Sequence, residues 1–312
     1  ARHPLLFYWW YEWSLPAVLK REKVDAFVSP DGFLSLRSKV PTLMVLHDIA
    51  WKHFKDHVPY AALKYYDHYV PKFVKRADRI ATVSQYSKQD MIQHFGVKPD
   101  KIDVVYNGSH PQYQPLDPAA IQAVRQQYSG GQPYFLYVGS IHPRKNVERL
   151  LQAFDRFKTR TQASLKMLVV GRAMGKGSPL HQLLPTLQHR EDIVCLGYLS
   201  TDELPLVMGA AYALTYVSLF EGFGIPLLEA LYCDVPSITA DCTSMPEVVG
   251  DAGLLADPTD VESIADQMVQ LWQKKEGRQS LVEKGRIQRQ KFSWERTAAG
   301  LWASLAHMLA TR

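Results

Sequence analysis

The chain has 312 residues, more than one compact core usually holds, so two domains are expected. Hydrophobic residues make up 46% and charged residues 21%, the proportions of an ordinary soluble globular protein rather than of a disordered or fibrous one. A net charge of +5 is too small for a dedicated nucleic-acid binder, and it suits anionic ligands such as nucleotide diphosphates or an acidic membrane surface.

The opening residues Phe7-Tyr8-Trp9-Trp10-Tyr11-Glu12-Trp13 are rich in aromatics and lie near Arg2, Lys20, Arg21 and Lys23. Such a stretch can rest at a membrane interface. An amphipathic helix packed on a sheet is the preferred reading, because aromatic stripes are usually core. Strands are predicted at Ala26–Pro30 and Thr42–His47, the second buried on both faces because it is nearly all apolar. A helix from Tyr60 to Arg76, a strand at Arg79–Val83, a helix capped by Ser84 that stops at Gly96, and a strand at Ile102–Val105 complete a βα series. Residues 110–132 contain Pro111, Pro115, Pro118, Gly130 and Gly131 around a short helical piece, and form the best linker. A second series follows. Its strands are predicted at Tyr134–Val138, Leu165–Val170, Ile193–Leu196, Ala211–Val217 and Ser237–Ala240. Its helices are predicted at Asn146–Arg160, Leu180–His189, Thr201–Gly209, Ile225–Cys233 and Val261–Lys275, and a last helix begins after Ser293.

The pattern predicts an α/β protein of two doubly wound Rossmann-like domains, each presenting its ligand loops at the carboxyl ends of its strands and both facing a cleft. The expected boundaries are 1–112 for the first domain and 113–292 for the second, with 293–312 a terminal helix. Three cysteines, Cys195, Cys233 and Cys242, form no close pairing motif and argue for a reducing compartment. No apolar run approaches a bilayer span and no signal peptide opens the chain. A cytoplasmic location is expected, with peripheral contact at the inner face of the cytoplasmic membrane as its extension.

Three constellations carry chemistry. Gly139-Ser140-Ile141-His142-Pro143-Arg144-Lys145-Asn146 lies between a strand and a helix, where backbone N–H groups and two cations can hold a phosphate. An ordinary basic turn would have the same appearance. Glu221-Gly222-Phe223-Gly224 joins a strand to a helix that carries Pro226 in its first turn and Glu229 further on. Seven residues separate the two carboxylates, and both can face a ligand over the helix N-terminus, where a carboxylate accepts hydroxyls of a sugar or a ribose. Simple helix capping by Glu221 and a solvated Glu229 is the plainer alternative, against which the two glycines speak. His47-Asp48 follows a buried strand, a place from which a histidine can bond a sugar hydroxyl, move a proton or serve structure alone.

Other chemistry is set aside. His53 and His57 are four apart with Asp56 between them, but no third ligand is apparent and Pro59 breaks the context, so no zinc site is expected. No Asp-x-Asp pair, Walker lysine, Gly-x-Gly-x-x-Gly fingerprint or Gly-x-Ser-x-Gly elbow occurs.

Taken together, these residues resemble glycosyltransferase family 4, a retaining family with the GT-B fold. Glu221–Glu229 with its Gly-Phe-Gly-Ile-Pro interior is similar to the family's Glu-x7-Glu signature, and Gly139–Asn146 to its phosphate loop. Met245–Gly253 with Asp257-Pro258 is similar to its next donor-side loop. His47-Asp48, Val83-Ser84 and Tyr106-Asn107-Gly108 match the acceptor-side half, and Phe292-Ser293-Trp294-Glu295 the start of the terminal helix that crosses back to the first domain. The match is ordered and covers nearly the whole chain.

The resemblance implies a nucleotide-diphosphate-sugar donor, a glycan or lipid-linked acceptor, no nucleic acid, no cofactor and no metal. It assigns Glu229 to the ribose, Glu221 to the donor sugar, Arg144 and Lys145 to the diphosphate in place of a metal, and His47 to the transferred sugar. Gly139, Ser140, Phe223, Gly224 and Ile225 complete the implied donor site. Retention by double displacement needs a nucleophile against the anomeric carbon; no residue stands out as one, and the family is thought to use front-face attack assisted by the donor phosphate. GDP-mannose is the implied donor, from the Pro-Arg-Lys-Asn style of the phosphate loop, in bacterial surface-polysaccharide synthesis.

Two departures stand out. Many family members carry arginine directly after the glycine that is Gly139 here, where this chain has Ser140. Family members also open with a strand and a Gly-rich loop that do not precede Ala1, so the first domain is expected to be incomplete. The alternatives to a working transferase are a nucleotide-sugar-binding or scaffold protein without turnover, and an epimerase or phosphorylase relative of the same fold.

Overall fold

The computed structural model describes residues 8–171 and 179–311. Contacts divide the chain into two units, 1–107 with 294–312 and 108–293. The division falls a few residues from the expected boundaries. Residues 118–129 of the predicted linker form a helix whose Arg125 Nε donates to Ala210 O at 2.9 Å, which ties this stretch to the second unit.

In the first unit, strands β1 (Phe27–Ser29), β2 (Thr42–Val45), β3 (Arg79–Thr82) and β4 (Ile102–Val104) pair in parallel in chain order. Helices α1 (Leu15–Arg21), α2 (Ala50–His53), α3 (Tyr60–Arg76) and α4 (Gln85–Phe95) connect or flank them. On α3, Val70, Phe73 and Val74 recur at helical spacing and are buried with Met44, Ile80 and Met91. Ser84 caps α4 by accepting from Ser87 N at 3.0 Å, and Gly96 stops it in the left-handed conformation at φ 61. The other face of the sheet buries Leu43, Ala81 and Val105 against Met308, with Leu301 and Leu305 packed alongside.

The aromatic opening divides. Residues 1–7 lie outside the described part, including Arg2 and Phe7. Residues Trp10–Ser14 form one π-helical turn ahead of α1. Tyr11 packs with Leu15 and Leu19, and Glu12 is buried and accepts from Leu36 N at 3.0 Å. Trp9, Trp10 and Trp13 are about half exposed, and the Arg37 guanidinium lies over Trp13. The packed-stripe expectation holds for Tyr11 and is corrected for the three tryptophans.

In the second unit, α5 (Pro118–Ser129) leads into six parallel strands: β5 (Tyr134–Val138), β6 (Lys166–Val170), β7 (Ile193–Gly197), β8 (Ala213–Tyr216), β9 (Ser237–Ala240) and β10 (Gly253–Ala256). Their order is β10-β9-β8-β5-β6-β7. The strand order therefore reverses between β5 and β8, and loops leaving the carboxyl ends of strands at such a reversal face a common crevice. Buried strands need cover on both faces, supplied by α6 (Val147–Thr161), α7 (Pro179–Leu183), α8 (Glu203–Gly209), α9 (Ile225–Tyr232), α10 (Met245–Val249), α11 (Val261–Gln273) and α12 (Lys275–Gln288). The chain then returns to the first unit as α13 (Trp294–Ala310). The helix expected over Leu180–His189 is shorter: α7 gives way at Leu184 to a 3₁₀ turn that contains Pro185.

Candidate active site

The reversal between β5 and β8 brings the two loops singled out in the sequence together. Leu219 N, after β8, donates to Arg144 O at 2.9 Å, and Asn146 Nδ2, after β5, donates to Val217 O at 3.0 Å and Pro258 O at 2.7 Å. Asn146 is buried and left-handed at φ 60, so it locks the start of α6 instead of waiting for a ligand.

Glu221 is the hub. Its Oε1 accepts from Lys145 Nζ at 2.6 Å and Tyr216 Oη at 2.8 Å, and its Oε2 lies 3.5 Å from Arg144 Nη1. Lys145 Nζ also donates to Tyr216 Oη at 2.9 Å. Two cations against one carboxylate leave an excess positive charge in a partly buried place, where it acts strongly on an anion. Burial, and then the Glu221 charge, push the Tyr216 phenol well above its ordinary range, so it stays protonated and donates. The Glu221 backbone is held as well: its N–H donates to Thr243 Oγ1 at 3.3 Å, and Ser244 Oγ donates to Glu221 O at 2.9 Å and Phe223 O at 3.0 Å.

The remaining predicted residues occupy distinct surroundings. Gly224 adopts φ 97 immediately before α9, a conformation that favours glycine. Phe223 is buried edge-on to Phe292, with ring centroids 5.7 Å apart, so its side chain serves the core, while Ile225 is exposed. Ser140 is exposed, and its carbonyl accepts from Tyr137 Oη at 2.9 Å. Gly139 N donates to Val170 O at 3.0 Å, and a Cβ on Gly171 would stand 1.8 Å from Gly139 O. The loops after β5 and β6 thus touch backbone to backbone, a contact only glycine permits at Gly171.

Glu229, on α9, does not join the Glu221 hub. Tyr113 bonds its carboxyl, and the buried Cys233 one turn on is close enough to feel its charge. Burial pushes the Glu229 carboxyl up to about 7, against the lowering effect of the Tyr113 bond. In the first unit, His47 is exposed after β2 with Nε2 3.1 Å from Pro30 O, and Asp48 Oδ1 accepts from Ala50 N at 2.9 Å to start α2. His53 does not pair with His57. It meets Asp90, while His57 stacks on Phe54. Sequence reasoning missed Tyr216, Tyr113, Thr243, Ser244 and Gly171. A glycine directly after the β6 pattern was the one available signal among them.

A six-stranded parallel sheet with its polar hub at the reversal point, in a chain that also carries a second parallel α/β unit, is the architecture of a GT-B glycosyltransferase. Solved structures bear this out. The chain is similar to Anabaena Alr3699/HepE in complex with UDP and glucose, with a TM-score of 0.75 and 22% identity over 86% of this chain and 72% of that one. It is also similar to WaaG, a glycosyltransferase involved in lipopolysaccharide biosynthesis, with a TM-score of 0.72 and 19% identity over 93% and 80%. Residues 121–288 match the Glycosyl transferases group 1 family and residues 1–113 match Glycosyltransferase Family 4. The chain belongs to the group 1 glycosyltransferases and carries a family 4 first domain. It is 35% identical over 250 residues to O-antigen chain mannosyltransferase B of Escherichia coli, covering 80% of this chain and 66% of that protein. It is 27% identical over 230 residues to the serotype-specific mannosyltransferase WbdA of the same species, covering 72% of this chain and 28% of that protein. The chain thus spans just under two-thirds of the first relative and little more than a quarter of the second.

Proposed function

We propose that the protein transfers a mannosyl group from GDP-mannose to a glycan or lipid-linked acceptor, with retention and without a metal, in surface-polysaccharide synthesis. The observation that carries this reading is the Glu221 hub. Lys145 and Arg144 converge on the reversal point of the sheet with more positive charge than Glu221 cancels. A leaving nucleoside diphosphate develops negative charge as the glycosyl bond breaks, and preorganised cations stabilise that change without reorganising. On this reading Glu221, fixed by Tyr216 and Lys145, accepts from hydroxyls of the donor sugar. Glu229 accepts from the ribose, His47 meets the transferred sugar, and Gly139 and Gly224 keep the backbone open to the diphosphate. The choice of mannose rests on the names of the curated relatives, and retention rests on the family pattern.

Thermal unfolding with a panel of UDP-, GDP- and ADP-sugars tests the donor, because a ligand bound only by the folded state raises the midpoint with its concentration. GDP-mannose should give the largest shift, and the shift should persist in EDTA. A larger shift from another base would overturn the donor assignment. By calorimetry, Lys145→Ala and Glu229→Ala should each weaken GDP binding about tenfold or more, the loss of one charge-assisted bond. Unchanged affinity in both variants would sink the site.

A further inference from the structure

His53 ends α2, and Asp90 and His94 lie one turn apart on one face of α4. His53 Nε2 is 2.9 Å from both oxygens of Asp90, and His94 Nδ1 is 3.1 Å from Asp90 Oδ1. The two imidazoles meet edge to face with centroids 5.1 Å apart. One ligand atom from each residue falls within 4.8 Å of the other two. We propose that these three side chains bind one divalent transition-metal ion of the zinc class, a site independent of the donor chemistry and carried wholly by the first unit.

Zinc–nitrogen and zinc–oxygen bonds of about 2.0–2.1 Å place tetrahedral ligand atoms roughly 3.3 Å apart. The Asp90 spacings of 2.9 Å to His53 and 3.1 Å to His94 lie close to that value, so small side-chain rotations suffice to open them. Asp90 is the anchor, with its side chain only 5% exposed. The imidazoles are about 30% exposed, which leaves a fourth position open to water. Two imidazole nitrogens with one carboxylate suit zinc, cobalt or nickel, whereas magnesium and calcium demand oxygen. The ion replaces the protons that now bridge Asp90 to the histidines. It also displaces the contact of His94 Nδ1 with Asp90 O at 3.0 Å. Bound metal would clamp α2, which follows the His47-Asp48 turn, to α4. The site requires no metal in glycosyl transfer.

Cobalt titration of the full chain, followed by visible absorption, should show one ion per chain with imidazole and carboxylate ligation, displaced by zinc. The Gln variants keep a hydrogen-bonding group toward Asp90 and spare the fold. His53→Gln and His94→Gln should each weaken binding at least tenfold, and the exposed control His181→Gln should not. X-ray absorption of the zinc-loaded wild-type chain should show two imidazole shells and no sulfur. The proposal fails if neither variant changes the affinity, if no ion binds at millimolar metal, or if sulfur appears in the zinc shell.

Discussion

Glu221 and Glu229 lie eight positions apart in sequence and in opposite surroundings. Glu221 is held by two cations and a phenol, whereas Glu229 has one phenolic partner and burial that lifts its carboxyl from 4.5 to about 7. A carboxyl raised on folding binds more protons in the native state than in the unfolded one, so its contribution to stability falls as pH rises from about 4.5 to about 7. The cost is fully developed above that window and is on the order of 3 kcal/mol. Glu229→Gln removes the charge and should raise the unfolding free energy at pH 8 relative to wild type, with the difference vanishing near pH 4. Urea titrations at the two pH values measure it, and a variant less stable at pH 8 would refute the account. The Glu-x7-Glu spacing was legible in the sequence. The contrast between their surroundings was not, because it depends on Tyr113 and Tyr216, which sit in stretches that a linear pattern presents as linker and apolar strand.

The loop after β5 is braced on its other side by the loop after β6, where the two backbones touch. A Cβ at Gly171 would collide with the Gly139 carbonyl, and Gly171 also holds φ 152, outside the comfort of L side chains. Gly171→Ala should therefore destabilise the protein by more than about 3 kcal/mol and weaken GDP binding. A variant with wild-type midpoint and affinity would show that the contact is dispensable. Elements with strong periodicity were legible at this scale: α3, β5 and β9 have the bounds their patterns predict. In the second unit, three helices or strands were not predicted. Helix α10 and strand β10 are only five and four residues long, within a stretch set by Pro246, Gly250 and Gly253. Helix α12 is polar and carries Gly277 and Gly285, so its apolar stripe is thin. Its burial comes from tertiary contact: a Cβ on Gly285 would meet Leu231 at 3.1 Å.

The first unit is assembled from two distant stretches of chain. Helix α13 covers Leu43, Ala81 and Val105, and Gly300 lets it approach closely, since a Cβ there would meet Val105 at 3.1 Å. Removal of residues 294–312 should expose that apolar face and destabilise the first unit, while the hub residues of the second unit keep their partners. Scanning calorimetry should then lose the first unit's unfolding heat, and GDP binding should survive in the second. Loss of GDP binding together with that heat would contradict the independence of the two units. The return of the chain was visible in the sequence only as a helix with a plausible cap, because pairing between positions some two hundred residues apart leaves no local trace. It has a consequence for biosynthesis. At about 5–20 residues per second, roughly 10–40 s of translation separate Val105 from Met308. Through that interval Leu43 and Ala81 leave the ribosome with one sheet face uncovered, so the nascent chain offers chaperones an apolar surface until its final docking partner is made.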